Sequence, residues 1–268
     1  MIRSLGLARG PRALRLLRCL GTAPPAPPPA VDGMPRFPGA SPGGALRALD
    51  YAGTSVFATT GAITAASYGL DLLGVCMVGT ITAVGGGTLR DLVIFGRRPF
   101  WSGSDGEVEY IYLSLASAAA AFFLYPPLKE RGLLHEDGAL LKWGDAVGLG
   151  AFAVIGCMNG IRGGLSPLLC VVCGISTATF GGLTRDVLIA RQGGVRILHS
   201  HAELYASCAG AASAAYLLAR ALALPLGARI LAGVAVGVGA RALSWEHGLR
   251  LPTWASLGRG DLVLKRDK

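Results

Sequence analysis

Val84-Gly85-Gly86-Gly87-Thr88-Leu89-Arg90-Asp91 and Phe180-Gly181-Gly182-Leu183-Thr184-Arg185-Asp186 each close a long apolar tract with small residues followed by an Arg-Asp pair. A glycine inside a helix costs about 1 kcal/mol relative to alanine, so a cluster that occurs twice needs a reason. Unwound backbone within a membrane is tolerated only where it is buried in protein or lines a wet cavity. Its carbonyls could then coordinate a cation, and its N–H groups, with the half-helix that follows, could receive a carboxylate. Gly85, Gly86, Gly87, Gly181 and Gly182 are therefore expected to break their helices and to line a pore or substrate site. The alternative is close helix packing of the small-residue type, which needs glycine but no ligand.

The charged pairs admit two placements. Neighbours on a helix diverge by about 100°, which argues against pairing within each dipeptide and for Arg90 with Asp186 and Arg185 with Asp91. Both pairs could instead snorkel to water. In either arrangement Arg90, Asp91, Arg185 and Asp186 are the gate or inter-repeat lock residues. Asp50 and Asp145 open the first helix of each half and serve as caps or as ion ligands, a secondary pair of site residues. His199 and His201 fall in a loop and are left out of the site. Cys170 and Cys173 have a metal-like spacing without a second pair or a histidine cluster, so no metal site is expected. There is no nucleophile–base arrangement, P-loop or dinucleotide fingerprint, and the reading is of neither an enzyme nor a cofactor protein.

An internal repeat and a series of apolar segments hold these residues. Asp145 follows Asp50 by 95 residues, and the same offset relates Gly53 to Gly148, Phe57 to Phe152, Gly61 to Gly156, Gly69 to Gly164, Gly79 to Gly174, Thr82 to Thr177 and Gly86 to Gly181. That register carries charged residues as well as apolar ones, and it marks an internal duplication. Apolar segments fall near 50–69, 72–95, 109–127, 144–161, 166–190, 203–220 and 226–244, each close to the roughly 20 residues that cross a bilayer. Three spans per copy is an odd number, so the second copy enters the membrane from the opposite side, leaving the seventh helix outside the symmetry. The fold class is an all-α membrane protein of seven transmembrane helices. Pro126-Pro127 is expected to end the third helix. Trp101, Tyr110, Tyr112, Trp143, Trp245 and Trp254 are expected at the headgroup level.

Composition agrees: 52 % of the 268 residues are hydrophobic and 15 % charged, and the mean hydropathy is +0.51. The net charge of +9 resembles a nucleic-acid signal until it is located. Residues 1–47 hold seven arginines against one acid, Asp32, leaving only +3 for the rest of the chain. No basic patch interleaved with aromatics remains, and nucleic acid is not expected as a partner. The first twenty residues set Arg3, Arg9, Arg12, Arg15 and Arg18 among leucines without an acid, the pattern of an organelle presequence, here mitochondrial because serine is sparse. Pro24-Pro25-Ala26-Pro27-Pro28-Pro29 then forms a stiff linker.

Leu49-Asp50-Tyr51-Ala52-Gly53-Thr54, then Phe57-Ala58 and Gly61, the run from Gly79 to Asp91 followed by Pro99-Phe100-Trp101, and the second copy from Asp145 to Asp186 together resemble the bacterial membrane proteins built from two tandem glycine-transporter domains. Those domains are similar in fold to the trimeric intracellular cation channels. The resemblance covers about residues 46–245, departing at Phe180, where the family usually has a third glycine. It implies a seven-helix protomer, glycine-kinked second and fifth helices around a central pathway, and a homotrimer. The organisation expected is a presequence and linker over 1–45, three-helix repeats over 46–130 and 140–222, a seventh helix over 223–246 and a polar tail over 247–268. The function expected is a transporter or channel for glycine or a monovalent cation in the lipid bilayer of the mitochondrial inner membrane, with another organelle or the plasma membrane as the alternative site. A scaffold or assembly factor that uses its glycines only for packing is the alternative function.

Overall fold

A computed structural model describes residues 34–103, 106–131, 139–189, 204–249 and 251. Nearly all of the presequence and the proline run, His199, His201, Trp254 and most of the C-terminal tail lie outside the described residues. Seven α-helices carry the described chain: α1 Pro42–Ser67, α2 Leu72–Leu89, α3 Glu109–Glu130, α4 Ala139–Arg162, α5 Pro167–Ile189, α6 Ala206–Ala221 and α7 Leu226–His247. Each apolar segment read from the sequence overlaps one, with α1 beginning eight residues and α4 five residues ahead of its segment. Five are long and apolar enough to cross a membrane: α2 with the turn that follows it, α3, α4, α5 and α7. The remaining two differ for local reasons. α1 carries buried Arg47 and Asp50, and α6 is only 16 residues long.

Helix starts follow capping chemistry. Ser41 accepts from Gly44 N at 3.0 Å ahead of Pro42, and Asp71 accepts from Gly74 N at 2.8 Å, each satisfying an amide that the first turn leaves without a partner. The cap places the start of α1 well before Asp50, which therefore sits inside the helix. Asp145 likewise lies inside α4. The capping role expected for the two aspartates is thus corrected: each carboxylate is tolerated within its helix because a cation and a hydroxyl meet it there. Gly69 and Gly164 end equivalent helices with φ of +79° and +68°, a left-handed geometry open to glycine at little cost.

Two further expectations fail. α2 runs through Gly85-Gly86-Gly87 and α5 through Gly181-Gly182 without unwinding. The irregularity comes after the glycines, as a π-helical turn over Arg90–Ile94. Pro126 and Pro127 lie inside α3, which continues to Glu130. The Pro127 carbonyl still accepts from Arg131 N at 3.3 Å, and the prolines remove donors near the helix end without stopping it.

α2 packs on α5 and α1 on α4, joining the two halves, while α7 lies against α4 and α6. In a membrane, association rests on close packing and hydrogen bonds because lipid is as apolar as leucine, and the glycines serve that purpose. A Cβ on Gly86 would collide with the Thr177 carbonyl, and one on Gly181 with the Thr82 carbonyl. On Gly53 it would lie 3.2 Å from Gly148 Cα, and on Gly148 3.3 Å from Gly53 Cα. Beside these contacts the Phe57 and Phe152 rings stack with centroids 5.1 Å apart.

Candidate functional site

The site grows from α1. Arg47 and Asp50 are one turn apart, so both face α3, and both are buried. A buried arginine must satisfy a fork of five donors. Arg47 does so by gripping Glu107 bidentately at 2.6 and 3.0 Å, giving Nη1 to the Tyr110 hydroxyl at 2.7 Å and Nε to the Pro35 carbonyl at 2.8 Å. The Tyr110 hydroxyl in turn donates to Asp50 Oδ2, while Arg47 Nη1 stands 3.4 Å from the same oxygen. Tyr110 is only 1 % exposed. Its hydroxyl thus serves this buried network rather than facing solvent.

A second cluster forms where α2 ends. Asp91, wholly buried, accepts from Arg90 Nε and Nη2 at 3.0 and 2.9 Å and from Arg97 Nη2 at 2.9 Å on Oδ1. Its Oδ2 accepts from Phe100 N at 3.0 Å. Arg90 Nη1 also donates to Thr177 Oγ1 on α5 at 3.2 Å. The second copy has the same internal pair, Arg185 with Asp186 at 2.8 Å. The cross-repeat pairs Arg90–Asp186 and Arg185–Asp91 are thereby corrected. The arginine stem is long enough to bring its guanidinium round to the next residue, a reach that argument from Cα directions overlooks.

Both clusters line one cavity of about 160 Å³. Arg47, Asp50, Glu107 and Tyr110 face it from one cluster, Arg90, Arg97 and Phe100 from the other, with Thr54, Phe152, Asn159, Arg162 and Thr177 between them. Of the expected site residues, Asp50, Arg90 and Gly87 line this space and Asp91 holds two of its arginines in place. Gly85, Gly86, Gly181 and Gly182 do not line it. Gly85 and Gly86 pack against α5, Gly181 packs against α2, and among the described residues a Cβ on Gly182 would meet only Arg185, at 3.7 Å. Among the described residues there is no group of three or more His, Cys, Asp or Glu side chains able to hold a metal ion.

Asp145, Tyr205 and Arg241 form a separate cluster in the second half. Tyr205 OH donates to Asp145 Oδ1 at 3.1 Å, repeating the Tyr110–Asp50 bond 95 residues on. The cation differs in origin. Lys142, the counterpart of Arg47, is exposed, and α7 supplies Arg241 instead. Its Nη2 lies 3.6 Å from Asp145 Oδ2, its Nη1 donates to the Leu204 carbonyl at 2.9 Å, and its guanidinium lies 4.8 and 4.9 Å from the Tyr205 and Trp245 rings. Sequence reasoning passed over Arg47, Glu107, Tyr110, Thr177 and Arg241. Tyr110 and Tyr205 share the offset of the duplication, and that signal could have exposed both clusters.

Comparison with known proteins matches the glycine transporter family at residues 47–126 and again at 142–221. The UPF0126 inner membrane protein YadS of Escherichia coli K12 is 32 % identical over 212 residues, covering 77 % of this chain and 95 % of that protein. A UPF0126 membrane protein of Deinococcus radiodurans is 35 % identical over 175 residues, 65 % of this chain and 76 % of that one. Among solved structures, a TRIC cation channel is similar with a TM-score of 0.65 and 29 % identity, over 83 % of this chain and 97 % of that one. The trimeric intracellular cation channel orthologue of Rhodobacter sphaeroides follows with a TM-score of 0.63 and 33 % identity, over 75 % of this chain and 98 % of that one.

Proposed function

The chain belongs to the glycine transporter family, and from that premise we propose that it is a membrane transporter or channel that passes a small zwitterion such as glycine through the cavity between α1, α2, α3, α4 and α5. One observation carries this reading: two clusters of opposite formal charge line the same space, with Arg162 as a further cation on its wall. Arg47 with Asp50 and Glu107 sums to −1, and Arg90 with Arg97 and Asp91 to +1. An ammonium group suits the first and a carboxylate the second, which arginine forks bind well. A volume of about 160 Å³ is below the roughly 300–1,000 Å³ of sites for drug-sized ligands, in keeping with a small solute.

A second reading, conduction of a monovalent cation, draws on the likeness to TRIC cation channels. A third, the non-transporting scaffold, draws on the glycines packed between α2 and α5. Purified protein in liposomes separates the three: labelled glycine uptake supports the first, potassium flux without glycine uptake the second, and neither flux the third.

The same proposal includes an inverted arrangement of repeats over 46–130 and 140–222, followed by the seventh helix over 223–246. The reciprocal pairs Gly53–Gly148, Gly86–Thr177 and Gly181–Thr82 support a two-fold relation between them. Assembly as a homotrimer is proposed from the trimeric channels of similar fold. Import to the mitochondrial inner membrane is proposed from the arginine-rich leader alone, since the relatives are bacterial membrane proteins. A fluorescent reporter fused to residues 1–45 tests it; a reporter left in the cytosol overturns it.

A further inference from the structure

Phe100 stands where the strap between α2 and α3 meets the cavity, and nothing about it is loose. Its backbone N–H donates to the buried Asp91 carboxylate at 3.0 Å. Its ring meets the Tyr110 ring edge-on with centroids 5.3 Å apart. On its other flank lies Gly87, where a Cβ would come within 2.8 Å of Phe100 Cε1. The next residue, Trp101, ties the strap to α2 by donating Nε1 to Thr88 Oγ1 at 2.9 Å. The ring is thus a fixed wall of the cavity, and Gly87 is the residue whose missing side chain lets it approach.

The duplication sharpens the point. Val195 occupies the position corresponding to Phe100 in the sequence, and among the described residues a Cβ on Gly182, the counterpart of Gly87, would meet the Arg185 guanidinium at 3.7 Å. Gly87 and Phe100 both line the cavity.

We infer that Phe100, seated by Gly87 and held by Asp91, sets the size limit of the transported solute. This rests on the transport reading above and extends it to specificity. In a tight pocket one methylene is worth about 10–200-fold in discrimination, so trimming a rigid ring relaxes selection by size more than selection by charge.

The test uses the full-length protein in liposomes and reads a ratio, valine flux over glycine flux, for wild type, Phe100→Leu, Phe100→Ala and Gly87→Ala. The ratio should rise about tenfold in Phe100→Ala and by less in Phe100→Leu. Gly87→Ala should slow both solutes by pressing on the ring. Phe100→Leu keeps the test open if Phe100→Ala fails to fold. If wild type conducts only cations, the tetramethylammonium over potassium ratio takes the place of valine over glycine, and the zwitterion reading falls while the size limit stands or falls on that ratio. A ratio unchanged in a folded variant that still passes solute overturns the inference and leaves the transport reading intact. Wild type that passes neither solute class overturns both.

Discussion

Gly86 in α2 lies against the main-chain carbonyl of Thr177 in α5, in a space that a single methyl group would overfill. Gly181 holds the same relation to the carbonyl of Thr82. The two contacts bring the central helices of the halves together, and neither neighbour is a flexible side chain that could swing aside.

Gly86→Ala and Gly181→Ala should therefore each destabilise the protein by about 1–3 kcal/mol, the usual cost of overpacking. Thermal unfolding of the detergent-purified variants measures this. A variant as stable as wild type would mean that the helices separate freely at this point. Gly85→Ala should cost less, since its added Cβ would stand 3.3 Å from Gly181 Cα.

Asp91 compensates two arginines from full burial. Asp91→Asn should cost about 3–5 kcal/mol by leaving those charges short of a counter-ion. A double-mutant cycle should find strong coupling between Arg90 and Asp91 and almost none between Arg90 and Asp186. Coupling across the halves would contradict the geometry described above.

How far the sequence spoke for itself differs from residue to residue. The seven helices and the duplication were legible, because hydropathy and a constant offset survive without knowledge of packing. The role of Gly86 was not: its cost in a helix is a local quantity, and the same cost accompanies a kink and a tight contact. Arg90 and Asp91 misled for a related reason, since Cα directions ignore how far a guanidinium travels. Arg241 was hidden because α7 lies outside the repeat, where the offset has no counterpart to compare.

Asp50 provides the negative end of the cavity and accepts from Tyr110. Asp50→Asn should lower glycine flux by about tenfold or more, from the loss of a charged hydrogen-bond acceptor worth about 1.5–3 kcal/mol. Tyr110→Phe should act in the same direction, through the same oxygen. Flux in liposomes checks both, and full glycine flux through a folded Asp50→Asn variant would remove this carboxylate from the solute site.

Arg241 meets Asp145, the Leu204 carbonyl and two aromatic rings. Arg241→Ala should lower stability by about 3 kcal/mol through the broken ion pair and the lost ring contacts. Arg241→Lys should recover only part of that, because an ammonium lacks the planar face that stacks between Tyr205 and Trp245. Thermal unfolding of the two variants side by side is the measurement, and equal stability of Arg241→Lys and wild type would reduce the site to simple charge.

That arginine also imposes a timetable. Asp145 leaves the ribosome roughly 100 residues ahead of Arg241, which at about 5–20 residues per second is on the order of 5–20 s. For that interval α4 is already made while the cation it will meet from α7 does not yet exist. The nascent second half must wait, partly assembled, for α7. A ribosome stalled between α6 and α7 would hold six of the seven described helices and none of the charge that α7 brings to Asp145, so the last of the described helices is the one that completes the second half.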